Sequence, residues 1–279
     1  MCAKPFFTSV LSEVILSLQN SRVKELVKLR ESPRRRRELS LFPIEGLREI
    51  EVGIDAERIF TEVYFCPSFF RERGEEILLH RFKETDAELV ELGKDAFAKT
   101  AYREHPEGVI ALAKTFDLQP SCLSLGANPL VLVLDEVEKP GNLGAVLRSA
   151  EAFGVDAVLL SEAAVDFFNP NVIRSSQGLS LRMPVAVGSK EEILAFILAH
   201  NLSVCGSSSK NAVPLWEGNF ASGGVAILFG SEREGLGSFW IENQDESLVI
   251  PMVGTSDSLN LSVSVACFLS EAVRQRRSQ

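Results

Sequence analysis

Histidine, tryptophan and tyrosine are scarce in this 279-residue chain, numbering three, two and two. His80, His105 and His200 show neither metal-ligand spacing nor a neighbouring nucleophile. The five cysteines, Cys2, Cys66, Cys122, Cys205 and Cys267, are odd in number, scattered and free of any C-x-x-C pair. That pattern excludes a zinc site by spacing and argues against a disulfide framework, leaving buried or incidental thiols. No run of about 18 uninterrupted apolar residues occurs, so no membrane span is expected. The first residues, Met1 to Phe7, lack the apolar stretch of a secretory signal, and the expected location is the cytoplasm. Two nucleotide signatures are missing as well. Gly141-Asn142-Leu143-Gly144 breaks the spacing of G-x-G-x-x-G, and G-x-x-x-x-G-K-[ST] does not occur. A dinucleotide or a nucleoside triphosphate held by these motifs is therefore disfavoured.

What is present is an apolar fraction of 46%, enough for a real core, and a net charge of −9. The charge is unevenly spread. Residues 22–37 carry Arg22, Lys24, Lys28, Arg30, Arg34, Arg35, Arg36 and Arg37 against Glu25 and Glu31. Such a stretch supplies the local positive field that phosphate binding needs, or it is a solvated helix face.

Apolar patterning divides the chain in two. Residues 1–118 alternate helical and extended signals: a helix near 20–31, strands at 41–44, 59–65 and 108–113, and a helix at 75–81. Turn chemistry at Gln119-Pro120-Ser121 and Gly126-Ala127-Asn128-Pro129 marks residues 119–129 as a linker. Residues 130–279 open on Leu130-Val131-Leu132-Val133-Leu134, a run suited to a strand buried on both faces. Helices at 142–153, 191–200 and 259–274 alternate with strands at 157–160, 202–205, 225–229 and 248–250. The fold class is α/β, with a parallel, doubly covered sheet in the second half.

Three polar blocks fall just beyond strand ends, where open α/β sheets bind ligands. The first runs from Lys139 through Asn142 and Gly144 to Arg148. The second is Gly230-Ser231-Glu232-Arg233-Glu234-Gly235-Leu236. The third joins Ile250-Pro251-Met252 to Ser258-Leu259-Asn260-Leu261-Ser262. Arg148, Asn142, Glu232, Ser258 and Asn260 suit hydrogen bonding and charge stabilisation rather than covalent catalysis. Each has a bland alternative. Arg148 would pair with Glu136 or Glu151, Glu232 would cap the following helix, and Ser258 or Asn260 would cap the last one. Caps do not account for Arg148.

At these residues the chain resembles the SpoU branch of the knotted methyltransferases, RNA ribose 2′-O-methyltransferases that use S-adenosylmethionine. Asn142, Gly144, Arg148, Ser149 and Ala150 match its first block. Gly230, Glu232, Gly235 and Leu236 match the second, and Ile250 to Met252 with Ser258 to Ser262 match the third. Residues 169–178 resemble its substrate-side helix. Ser21-Arg22-Val23-Lys24, Ile44-Glu45-Gly46 and Pro106-Glu107-Gly108-Val109 are similar to a ribosomal-protein-like RNA-binding domain found in some members. Lys139 stands where Asp is usual, and Ser264 where Ala is common.

The resemblance implies a trefoil knot in the C-terminal domain, a homodimer with sites at its interface, and no metal. It implies S-adenosylmethionine held near Gly230, Ile250, Leu259, Leu228 and Met252. Arg22, Lys24, Arg34, Arg35, Arg36, Arg37, Arg174 and Ser176 are the implied RNA contacts. Ribosomal RNA is the favoured substrate, with transfer RNA as the alternative. Arg148 is the residue suited to stabilise the developing alkoxide, since a neutral guanidine base is hard to reach in water. A non-catalytic RNA-binding or ribosome-assembly factor on the same fold is the rival of another class.

Overall fold

The computed structural model describes residues 14–70, 74–82, 85–208, 212–255 and 258–278. Cys2 and the Met1–Phe7 segment lie outside them. The chain forms two compact units. The first comprises residues up to Phe116 together with Phe168–Leu181, and the second comprises Asp117–Phe167 and Arg182–Gln279.

The first unit contains helices α1 (Ser21–Glu31) and α2 (Pro33–Leu39), strand β1 (Leu41–Glu45), α3 (Leu47–Asp55), β2 (Phe60–Phe65), α4 (Gly74–Phe82), β3 (Glu88–Glu91), α5 (Lys94–Thr100) and β4 (Val109–Lys114). Its sheet runs β1-β4-β2-β3, with β4 antiparallel to β1 and β2, and β3 parallel to β2. Alternation along the strands builds two cores. Val109, Ala111, Ala113, Val63 and Phe65 face one side with Phe42, Ile44, Ile50 and Phe82. Ile110, Leu112 and Tyr64 face the other with Val23, Leu26, Leu29 and Phe97.

Ile173 and Leu181 belong to the first of these cores, with Phe168 packed against it. Phe168 lies 4.8 Å from Phe42 and 5.1 Å from Phe116, centroid to centroid. The segment that resembles a substrate-side helix, α7 (Pro170–Ser175), is thus part of the first unit.

The second unit holds β5 (Leu130–Asp135), α6 (Pro140–Ala152), β6 (Ala157–Ser161), β7 (Val185–Gly188), α8 (Lys190–Ala199), β8 (Ser203–Ser207), β9 (Val213–Pro214), β10 (Val225–Phe229), α9 (Ser238–Glu242), β11 (Glu246–Val249) and α10 (Leu261–Arg277). Its seven strands run β7-β6-β5-β10-β8-β11-β9, and every pairing is parallel. Strands β5, β6 and β10 are buried throughout, as a sheet covered on both faces requires. Two late strands enter between earlier ones: β10 between β5 and β8, and β11 between β8 and β9. Helix α10 then packs on α6, and Phe268 of α10 meets Phe229 edge-on at 5.0 Å.

Arg276 ties the last helix down. Its guanidinium donates to the carbonyls of Phe220 at 3.0 Å, Asn128 at 2.7 Å, and Pro129 and Gly223 at 3.2 Å each. Residues 117–129 belong to this unit, with Val187 N donating to Leu118 O at 2.7 Å and Leu123 and Leu125 packed on the core. No helix among the described residues is long and apolar enough to cross a membrane.

Helices α2, α3, α5 and α9 and strands β3, β7 and β9 have no counterpart in the sequence pattern, and α7 is marked only by the resemblance. Helix α2 has Ser32 as its cap and Pro33 at its first position, but four arginines leave it without an apolar stripe. In α3, Ile50, Val52 and Ile54 alternate as in a strand, and packing decides for helix. The strand expected at 248–250 is 246–249, because Glu246 and Ser247 pair with Cys205 and Gly206. The last helix begins at Leu261 because Asn260 is its cap.

Candidate active site

Each block sits on the turn after a parallel strand. The chain leaves β5 and enters α6 through Lys139 at the N-cap and Pro140 at the first helical position, which places Asn142 in the first turn. The loop after β10 is shaped by two glycines. A Cβ on Gly230 would collide with the backbone of Gly235 and Leu236, so only glycine lets the loop fold back this tightly. Gly235 has φ +72°, and the loop closes through Ser231 N to Gly235 O at 3.1 Å and Gly235 N to Ser231 O at 3.0 Å.

That closed loop presents Glu232 to the start of α6. The Asn142 amide and the Lys139 ammonium each donate to one of its carboxylate oxygens. Desolvation pushes the Glu232 carboxyl up. The hydrogen bonds from Lys139 and Asn142, with the Lys139 charge, outweigh it and hold the group below the ordinary glutamate value. Lys139, the departure from the family pattern, is thus a partner of this carboxylate, and Glu232 does not cap a helix.

Asn260 performs two tasks with its two ends. Oδ1 accepts from Ser262 N at 3.0 Å and from Ser262 Oγ at 2.8 Å, capping α10. Nδ2 donates to Asn142 Oδ1 at 3.4 Å. A chain Asn260–Asn142–Glu232–Lys139 therefore joins all three blocks.

Beside it lies a pocket of about 230 Å³ lined by Leu236, Ile250, Met252, Ser258 and Leu259, with Gly235 and Ser207 among the remaining walls. Nothing stands within 4 Å of where a Cβ on Gly235 would be, so this wall is open to an occupant. Apolar side chains, hydroxyls and bare backbone fit a nucleoside-like cofactor. Ser264, the second departure, also lines it. Of the other expected cofactor contacts, Leu228 has its side chain buried in the sheet core with Val131 and Val133, and Gly230 shapes the loop, so a cofactor would meet either through backbone alone. Gly235, Leu236 and Ser207 were not expected in the pocket; the first two stand in the second block, whereas nothing local marks Ser207.

Arg148 is exposed and makes no hydrogen bond or ion pair among the described residues. The structural partners considered for it are not used: Glu136 pairs with Lys190 at 2.7 Å, and Glu151 does not reach it. Six residues along α6 from Asn142, it lies about 120° around the helix. It does not join the Asn142–Glu232–Asn260 chain.

Part of the basic stretch is paired within the protein itself. Arg22 forms a bidentate pair with Glu88 at 2.8 and 2.9 Å. Arg35 does so with Glu25 at 2.5 and 3.0 Å, and Arg34 holds Glu38 at 2.8 Å. Arg36 is 1% exposed and donates to the carbonyls of Leu29 at 2.5 Å and Arg30 at 3.1 Å. It closes the end of α1 and is corrected from an RNA contact to a structural residue. Ser176 is corrected likewise, since it is fully buried and its hydroxyl donates to Ile173 O at 3.0 Å. Lys24 and Arg37 stay exposed without a partner among the described residues. Arg174 is also exposed, 5.8 Å from the ring of Tyr102. No group of His, Cys, Asp or Glu among the described residues could hold a metal ion.

Comparison with known proteins bears on these features. Residues 129–270 match the model of the SpoU rRNA Methylase family, and residues 20–111 match that of the MRM3-like substrate binding domain. The chain is 29% identical to the 23S rRNA (guanosine(2553)-2′-O)-methyltransferase RlmP of Bacillus subtilis, over 90% of this chain and 96% of that protein. It is 30% identical to an uncharacterized tRNA/rRNA methyltransferase of Synechocystis, over 94% of each. A solved RNA 2′-O ribose methyltransferase superposes with a TM-score of 0.82 at 37% identity, covering 95% of this chain and all (100%) of that one. An AdoMet-bound rRNA methyltransferase from Sinorhizobium meliloti, at 23% identity and a TM-score of 0.86 over 94% and 97%, shares the fold.

Proposed function

We propose, since the chain belongs to the SpoU rRNA methylase family, that it transfers the methyl group of S-adenosylmethionine to a ribose 2′-hydroxyl in structured RNA, ribosomal RNA above all. The observation that carries the reading is the side-chain contact of all three blocks, through Asn142, Glu232 and Asn260, next to an open pocket walled by the third.

When bound, S-adenosylmethionine supplies an electrophilic methyl group on a positively charged sulfur. Ile250, Met252, Leu259 and Leu236 would enclose its apolar parts, and Gly235 and Ser258 would meet its polar edge. The acceptor hydroxyl is a poor nucleophile until its proton leaves. Arg148, with no carboxylate to neutralise it, would stabilise the forming alkoxide through charge-assisted hydrogen bonds. Glu232, kept ionised by Lys139 and Asn142, would orient the acceptor ribose or the arginine that faces it. Asn142 and Asn260 would fix that carboxylate in place.

We further propose a homodimer in which Arg148 of one subunit faces the cofactor pocket of the other, since Arg148 stands apart from the polar chain of its own subunit. The exposed apolar side chains near α10 support such an interface: Trp216 at 59% exposure, Val263 at 47% and Met252 at 41%. The first unit would hold the RNA, and the protein would work in the cytoplasm with its substrate.

Calorimetry with S-adenosylmethionine, paired with mapping of 2′-O-methyl positions in ribosomal RNA from cells with and without the protein, tests the activity. Saturable binding and the loss of one methylated position are expected. No binding at millimolar cofactor, with an unchanged methylation map, overturns it.

A further inference from the structure

A second concavity lies within the first unit, away from the three blocks in sequence. It has a volume of about 830 Å³ and is lined by Arg48, Tyr102, His105, Arg174 and Gln177 over a floor that includes Arg103. We infer that this cleft receives an unpaired nucleotide of the RNA, its base stacked against Tyr102 and Arg174. The inference rests on the reading that the protein acts on RNA.

The floor is built rather than accidental. Arg103 donates to Glu49 at 2.7 Å and to Glu107 at 2.5 Å, and Glu107 also accepts from Leu47 N at 2.9 Å. Glu45 accepts from Tyr102 N at 2.5 Å and Arg103 N at 3.3 Å, fixing the backbone that carries the aromatic ring. Gly46, at φ +114°, leaves room for this network, since a Cβ there would run into Glu49 and Arg103. These bonds hold the start of α3 and the 102–107 turn in one arrangement before any ligand arrives, which lowers the ordering cost of binding.

The rim is left available. Tyr102 is 40% exposed. Arg48 and Arg174 are exposed and make no hydrogen bond or ion pair among the described residues; the Arg174 guanidinium stands over the Tyr102 ring, 5.8 Å from its centroid. An aromatic face with a guanidinium beside it is a stacking platform for a base. The remaining charges choose among ligands. Three arginines are matched by Glu49, Glu104 and Glu107, so the cleft has no net positive field to hold a run of phosphates. What it offers is one stacking face, two free guanidiniums and the amide of Gln177, which suits a single base with its adjoining phosphate. A base paired inside a duplex has no free face to give. An A-form helix is instead gripped across its wide minor groove, which a concave site of this size does not match.

The test uses the full chain, with fluorescence anisotropy against a short RNA hairpin with an open loop and against the same stem as a blunt duplex. Tyr102→Ala and Arg174→Ala are each expected to weaken hairpin binding about tenfold. Tyr102→Phe keeps it, and duplex binding stays unchanged in all three. Hairpin affinities within about twofold of wild type in both alanine variants, or equal losses on hairpin and duplex, overturn the inference. Both side chains are exposed, so thermal midpoints are expected to match wild type. Calorimetry with S-adenosylmethionine on the same proteins separates the two readings. Normal cofactor binding with indifference to Tyr102 removes the cleft and leaves the activity. Hairpin binding through Tyr102 without cofactor binding removes the activity and leaves the cleft.

Discussion

Asn260 Nδ2 donates to Asn142 Oδ1 at 3.4 Å, linking residues 118 apart in the chain while the other end of the Asn260 amide caps α10. One side chain thus secures a helix start and closes a polar chain that runs through Glu232 to Lys139. The two duties can be separated by substitution. Asn260→Ala removes both, and the lost cap lowers stability by about 1 kcal/mol. Asn260→Asp keeps a capping oxygen and loses the donor. Denaturant unfolding is expected to show near-wild-type stability for the Asp variant, while methyl transfer falls in both.

Arg148→Ala is expected to slow single-turnover methyl transfer about 100-fold or more, the scale on which a charge-stabilising donor acts. RNA affinity is expected to stay within a few-fold of wild type. An unaltered transfer rate with RNA still bound would falsify the role given to Arg148. Mixing Arg148→Ala subunits with subunits whose cofactor pocket is blocked tests the cross-subunit arrangement, which requires partial recovery in the mixture.

The second block predicts a contrast between two glycines. Gly230→Ala places a methyl group into the backbone of Gly235 and Leu236, so the loop must open. Gly235→Ala meets no atom and carries only the strain of its positive φ, about 1 kcal/mol. Thermal unfolding should record a far larger loss of stability for the Gly230 variant, while cofactor affinity falls in both, since a methyl group on Gly235 would stand in the pocket. Equal losses of stability would mean that the loop does not depend on the close backbone approach at Gly230.

Glu232 sets a pH dependence. Its folded-state value lies below the ordinary 4.5, so its contribution to stability is complete above that pH and is lost as the pH falls through the lowered value. The stability difference between wild type and Glu232→Gln is therefore expected to shrink on acidification below about 4.5 and to be constant above it. Urea unfolding across that range reads the difference directly, and a gap that widens in acid contradicts the Lys139 and Asn142 hydrogen bonds.

Arg276→Ala removes donors from four backbone carbonyls and is expected to cost about 1–3 kcal/mol. Lysine, a single point charge on a flexible stem, should restore little of it. Thermal unfolding of the two variants makes the comparison.

The parallel sheet was legible because β5 and β10 are uninterrupted apolar runs, and the blocks were legible because their polar residues cluster just past strand ends. Helix α2 was hidden by its arginines, and α3 by alternation that mimics a strand. Charge counting could not sort residues 22–37 into paired and open side chains. Composition shows how many guanidiniums there are, and not that Arg36 turns inward to carbonyls or that Arg22 and Arg35 find carboxylates distant in sequence. The cleft around Tyr102 was invisible for a related reason. Its walls come from residues 48–49, 102–107 and 174–177, which only the folded unit brings together.

The passage of residues 168–181 into the first unit limits how this protein can be taken apart. Phe168, Ile173 and Leu181 are encoded inside the methylase half yet pack with the core built by the other half. A cut near residue 118 would strip one piece of three apolar side chains and leave the other carrying them uncovered. The two units are interleaved along the chain, so no single cut separates them with both cores intact.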